Sequence, residues 1–267
     1  MTNIITRDFK LEVSKGNVSG HVTVNKYGKA PDGIQTTITD IWDRANATPT
    51  QQLWVAPTAA RTHQITSSST ADDGTPEGGG ASAQAVRIWG LTGWGTAEVT
   101  EDVSLNGTAN VATSNAYVII HRMKIISVGT TYKINAGLIT ATADTDSTVT
   151  AQIAAGEGQS QMAIYGVPST HTFYMTDFEI NAHNTGNPST VVETDFGLLV
   201  CEEANLDETT FVRKANIGLI ASGTSSFTRE YGPPLKIAGP AIIKFQAIST
   251  LADTEGVAEF DGYLVTN

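Results

Sequence analysis

The feature that most constrains this chain is the material it places between its turns. Of 267 residues, 38 are threonine and 25 glycine, with many Ser, Ala and Asn beside them. Leu, Glu, Lys and Arg, which enter helices at low entropic cost, are scarce. Such a chain has little from which to build long helices. β-branched residues punctuated by Gly, Asn and Pro build strands and turns. The expected fold class is all-β.

The residue pattern divides the chain into an arm and two strand-rich units. Residues 1–44 read as an extended N-terminal arm in which Phe9, Leu11 and Val13 alternate. Gly28, Pro31 and Gly33 break the pattern across NKYGKAPDG (25–33), and TDIWDRA (39–45) is the one helical turn expected before the main body, capped by Thr39 or Asp40. Residues 45–150 form a first β-sandwich unit. It holds a strand within 57–70, a polar Gly-rich loop at 71–82, and strands over 85–92, 97–105, 116–128 and 138–143. Asn106-Gly107 is a turn, because that pair adopts positive φ readily. DTDSTVTAQIAAGEG (144–158) reads as the join. Residues 151–267 form a second, jelly-roll-like unit with strand runs at 160–167, 171–182, 195–203, 209–221, 225–231, 241–249 and 256–265, separated by glycines and by Pro168, Pro188, Pro233, Pro234 and Pro240. DFGLLVC (195–201) is apolar on both faces, so it is a central strand or one covered by a neighbouring subunit.

Composition excludes several functions. The formal net charge is −11, with 27 acids against 16 bases, which leaves no surplus to neutralise phosphates or an anionic bilayer. No nucleic-acid or membrane partner is expected. The single Cys201 excludes an internal disulfide and any zinc site that needs two thiolates. MTNIITRDFKLEVSK lacks the pattern of a secretory signal, and no apolar run reaches about 18 residues. Synthesis in a cytoplasm is the expectation.

Chemistry-bearing motifs are sparse. His21, His63, His121, His171 and His183 have no metal-ligand spacing, and His121 reads as a core or interface histidine. Cys201 ends the most apolar strand and reads as a buried, inert thiol. No G-x-S-x-G elbow surrounds a serine. The carboxylate pairs Asp72–Asp73, Glu101–Asp102, Asp144/Asp146 and Glu202–Glu203 read as solvated acids, although Asp144-x-Asp146 and the ADDGTPE loop have oxygen ligands of the kind calcium takes. GEG (156–158) and EGGG (77–80) lack a Walker lysine and are turns. No catalytic residue, cofactor or metal site is assigned, and the chain is expected not to be an enzyme. Trp94, Tyr132 and Tyr231 are the candidates for exposed aromatic binding positions. Phe9, Leu11, Val13, Tyr27, Ile41 and Trp42 are the candidates for an assembly interface, because an arm with little core of its own gains burial only against a neighbour.

Several phrases resemble a family of structural proteins from marine tailed phages: NKYGKAPDG with TDIWDRA, AVRIWGLTGWGTAEVTEDVSLNGTANVATSNAYVIIHRMKI, INAGLITATA and AAGEGQSQMAIYGVPSTHTFYM. The resemblance spans roughly residues 25–180 and weakens after about 185. It implies a virion component without enzymatic activity, made in a bacterial host's cytoplasm and carried on the particle. The expectation drawn from it is a head decoration, or cement, protein on the capsid surface. Its partners would be two further copies in a homotrimer and the major capsid protein. A tail fibre or spike module that binds host glycan, and a double jelly-roll capsid subunit, are the alternatives. On this reading, deleting residues 1–30 leaves both units folded and abolishes assembly.

Overall fold

A computed structural model describes residues 8–43, 53–75, 80–186, 190–206, 209–252 and 254–267. Strands take 59% of the chain and helix 3%, so the protein is all-β, and every strand pairing described is antiparallel. The one helix described, α1 (Phe9–Ser14), lies where alternation suggested an extended arm. Its start is set by Asp8, whose carboxylate accepts the N–H groups of Lys10 at 3.0 Å and Leu11 at 3.4 Å. Capping of that kind outweighs a three-residue alternation.

Two sheets enclose an aromatic core. The first orders β1 (His21–Ile34), β16 (Thr254–Thr266), β11 (His171–Asn184) and β14 (Thr224–Ala238). The second orders β10 (Ile164–Val167), β15 (Ala241–Ser249), β12 (Val192–Glu202) and β13 (Val212–Ala221), with the short β2 (Thr39–Asp40) also pairing with β15. Phe173, Phe178 and Phe260 from the first sheet meet Phe196 and Phe245 from the second, and the Phe178 and Phe245 rings stand 5.4 Å apart. Each such side chain contributes about 1.5–3 kcal/mol on burial. Strand β12 is central, as its two apolar faces suggested. Phe196, Leu198 and Val200 enter this core and Cys201 enters the other one.

The second core belongs to the segment between β1 and β10. There β6 (Val111–Ala112), β3 (His63–Ser67), β8 (Ile139–Ala143) and β9 (Val149–Ile153) form one sheet; β5 (Val99–Ser104), β4 (Ala83–Leu91) and β7 (Ile119–Val128) form another. Ile65, Val86, Ile88, Ile119, Met123 and Ile139 pack between them. This inserted unit sits on the outer face of the β10–β15–β12–β13 sheet: Ile164, Ile242 and Cys201 share its core with Trp42, Trp54 and Met162. A buried ion pair ties the same junction. Lys244 Nζ lies 2.9 Å from Asp40 Oδ2, which also accepts the Trp54 N–H at 2.7 Å. Burial raises the Asp40 carboxyl above its usual range, and Lys244 opposes that rise.

The structure corrects four expectations. Residues 21–34 are an edge strand, paired with β16 from His21–Val265 to Ile34–Thr254, and do not reach out as an arm. Gly28 permits this path: a Cβ there would lie 2.2 Å from the Ala163 nitrogen. The TDIWDRA segment is extended at Thr39–Asp40, and Trp42 bridges Met162, so no helical turn forms in its described part. The 144–158 segment is not a plain join, because Val149–Ile153 is a buried strand of the inserted unit. Pro233 and Pro234 do not end a strand. Residues 231–234 bulge from β14 opposite Thr176 of β11, and pairing resumes at Leu235–Met175.

Candidate functional site: a cationic cleft between the two units

Alternation along β1 sends Val22, Val24 and Lys26 to the sandwich side and Thr23, Asn25 and Tyr27 outward, as the register against Leu264, Gly262 and Phe260 requires. Lys26 thus occupies an inward position on an edge strand, and the inserted unit covers that edge. Lys26 is only 7% exposed and donates to the backbone carbonyl of His121 on β7. Around them opens a cleft of about 540 Å³, lined by Trp89, Glu98, His121, Arg122, Gln159, Ser160 and Tyr165 among others.

Its floor is a buried histidine. His121 is 2% exposed, its ring centroid stands 4.7 Å from that of Tyr165, and its Nε2 lies 2.5 Å from Glu98 Oε2. Its Nδ1 is buried and has no hydrogen-bond partner. Burial lowers the His121 pKa, the charges of Lys26 and Arg122 lower it further, and Glu98 opposes them. The ring is therefore neutral at pH 7 and donates a hydrogen bond to Glu98, without forming an ion pair. Burial acts to raise Glu98, but the hydrogen bond from His121 and the neighbouring cations outweigh it and hold the carboxyl below its usual range. Lys26 is pushed down to about 7, first by burial and then by the charge of Arg122.

Arg122 forms the rim. Its guanidinium lies 4.9 Å from the centre of the Trp89 ring, and one Nη donates to Gln159 Oε1 at 3.2 Å. Residues 158–160 close the site by adding to the free edge of β7: Ile125 N donates to Gly158 O at 2.9 Å and Met123 N to Ser160 Oγ at 2.9 Å. Neither Lys26 nor Arg122 comes within 4 Å of a carboxylate among the described residues. Chemically the cleft offers two cations, the Glu98 carboxylate, a buried neutral imidazole and aromatic walls.

The positions singled out in the sequence do not gather at this cleft. Of the assembly candidates, Phe9 is 51% exposed with its ring against Tyr263 and His21, Leu11 is also exposed, and Tyr27 is half-buried opposite Glu259. Val13, Ile41 and Trp42 are buried within the chain itself, so they are core and not interface. Their apolar character had been assigned to a partner because β1 and β2 were not recognised as strands. Of the aromatic binding candidates, Tyr132 is 54% exposed, but Trp94 is 9% exposed and packs in the inserted core. Tyr231 is half-buried against Phe178, under Arg229. The carboxylate pairs mostly serve as acceptors for nearby side chains and backbone N–H groups. Asp72 is fully buried and accepts from Ser67 Oγ and from the N–H groups of Ala83, Ala136 and Gly137. Asp144 and Asp146 accept from Thr62, Gln64, Thr58 and Arg61. Among the described residues, no group of three or more His, Cys, Asp or Glu side chains is arranged to hold a metal. Lys26, Glu98 and Arg122 went unmarked in the sequence, although a lysine at an inward position of an alternating strand was a readable signal.

No family model matches the chain, and no curated protein matches it. Two solved structures align over 92% of its length: the infectious bursal disease virus Gx strain, at 10% identity, 73% of that chain and a TM-score of 0.20, and the infectious bursal disease virus VP2 subviral particle, at 9% identity, 81% of that chain and a TM-score of 0.13. Both neighbours are viral capsid proteins; likeness at these scores carries no weight for the fold or function of this chain.

Proposed function

We propose that this chain is a non-enzymatic virion protein, a head decoration (cement) protein that assembles as a homotrimer on the capsid surface. The observation that carries the reading is strand order. Taken in chain order, the eight sandwich strands are β1 and β10 to β16. One sheet arranges them first, eighth, third, sixth; the other arranges them second, seventh, fourth, fifth. We read that order as a jelly roll, an architecture used by viral capsid domains and lectins. The phage-family phrases in the sequence point the same way. The inserted unit has seven described strands in sheets of four and three, so the double jelly-roll alternative draws no support from it.

Such a protein acts by mass action: binding only the assembled shell raises the cost of opening it. Attachment would use the acidic outer face of the β1–β16–β11–β14 sheet, where Asp177 pairs across strands with Asp261 and Glu230, and Glu179 with Glu259. A basic shell surface would relieve that repulsion, and attachment would weaken with salt. Gel stoichiometry and immunogold labelling of purified phage particles test the reading. Many copies spread over the head are expected; a few copies at one vertex, or none, overturn it.

A further inference from the structure

We propose that the cleft between the two units is a binding site for an acidic sugar, with the ligand carboxylate held between Lys26 and Arg122. The inference stands apart from the virion reading and rests on three features of the cleft. First, two cations line the cleft in a chain of net charge −11, and neither has a carboxylate within 4 Å among the described residues, Glu98 acting on both from further away. One of them, Lys26, is almost fully buried and spends one hydrogen bond on a backbone carbonyl, which leaves ammonium donors for a ligand. Second, Arg122 is pre-positioned. Stacked over Trp89 and tethered to Gln159, its planar fork loses little entropy on accepting a carboxylate in two-point fashion. Third, His121 lines the cleft, and its buried Nδ1 has no hydrogen-bond partner, so a polar atom beside the ligand space is left unsatisfied. The cleft's 540 Å³ fits a monosaccharide or disaccharide. Glu98 spends one oxygen on His121, acts on both cations through its charge, and lies beyond 4 Å from either of them.

Burial holds Lys26 near the point of losing its proton, and a bound carboxylate would restore the charge. Affinity should therefore fall as pH rises above about 7, with Tyr27, Glu98, His121, Arg122, Tyr165 and His171 the other ionisable groups around the cleft.

The test titrates the full chain with glucuronate and N-acetylneuraminate, with glucose and inorganic phosphate as controls, by calorimetry. Saturable binding of an acidic sugar, with glucose silent and phosphate far weaker, is the expected result. Lys26→Met and Arg122→Gln should each weaken it about tenfold or more while circular dichroism stays unchanged. Arg122 is an exposed side chain, so its variant folds even where Lys26→Met does not. No binding of either acidic sugar overturns the proposal. So does equal binding of glucose, binding of phosphate alone, or wild-type affinity in Arg122→Gln.

Discussion

The two cores of this protein are held by different means. The two-sheet unit built from β1 and β10 to β16 is long-stranded and aromatic: β11 and β16 pair over 13 positions, and five phenylalanines fill the space between the sheets. The inserted unit is short-stranded and relies on polar hubs, the buried Asp72 and the partly exposed Glu101. Asp72 takes four hydrogen bonds from the loops around it, and Glu101 takes bonds from the Ser114 and Asn115 N–H groups and the Tyr117 hydroxyl. His63 lies fully buried beside Tyr117. Dispersion and area stabilise the first core, and hydrogen-bonded carboxylates stabilise the second. The two should therefore fail under different challenges.

The largest effect should come from the segment first read as an arm. Deleting residues 1–30 removes most of β1, bares the β16 edge, and takes away the strand against which the inserted unit docks. The expected outcome is loss of the cooperative sandwich transition in urea. A folded truncation that differs only in assembly would restore the arm reading.

Next come paired substitutions in the two cores. Asp72→Ala leaves three backbone N–H groups and one hydroxyl without their acceptor in a buried site and should cost about 5 kcal/mol. Phe178→Ala opens a cavity between the sheets and should cost about 4 kcal/mol. Hydrogen exchange followed by mass spectrometry distinguishes the two: the first variant should lose protection in residues 63–153 and the second in β11, β14 and β16. Identical losses throughout would mean the two cores unfold as one unit.

Strand existence was readable because composition and alternation act locally. The β12 run, the Asn106-Gly107 turn with Gly107 at φ 54°, and the alternation of β15 and β16 all follow from neighbours within a few residues. Pairing was not readable. Nothing local tells β1 that its partner is β16, more than 200 residues away, so Ile41 and Trp42, which follow it, looked like surface for a partner. The cleft was hidden for the same reason. Lys26, His121 and Arg122 meet only once β1 lies along the inserted unit, and the sequence separates them by about 95 residues.

The third challenge is acid. Burial pushes His63 down from 6.5 to about 4. Between those values the unfolded chain binds a proton that the folded chain refuses, so stability is complete above about pH 6.5 and falls as pH drops toward 4. The full loss is about 3 kcal/mol. Urea midpoints across this range should therefore fall first for the inserted unit, and His63→Phe should flatten the slope. A slope unchanged in that variant would move the acid sensitivity to His121, whose burial acts in the same direction.

The smallest effect tests whether the sandwich carries electrostatic strain of its own. Glu179 and Glu259 face each other directly across β11 and β16, one rung from Asp177 and Asp261. Burial and these neighbours raise the Glu259 carboxyl above its usual range, so its ionised form opposes folding; the penalty starts to fall as the pH drops through the folded pKa and is gone only below the ordinary carboxyl pKa. Glu259→Gln should stabilise the sandwich by about 0.5 kcal/mol at pH 7 and by nothing in acid. Its sign is opposite to that of His63: acid relieves strain in one unit while it undermines the other. A destabilised Glu259→Gln variant at pH 7 would mean that the carboxylate accepts a bond worth more than the repulsion, and the acidic face would then be a self-satisfied surface, with no strain for a basic partner to relieve.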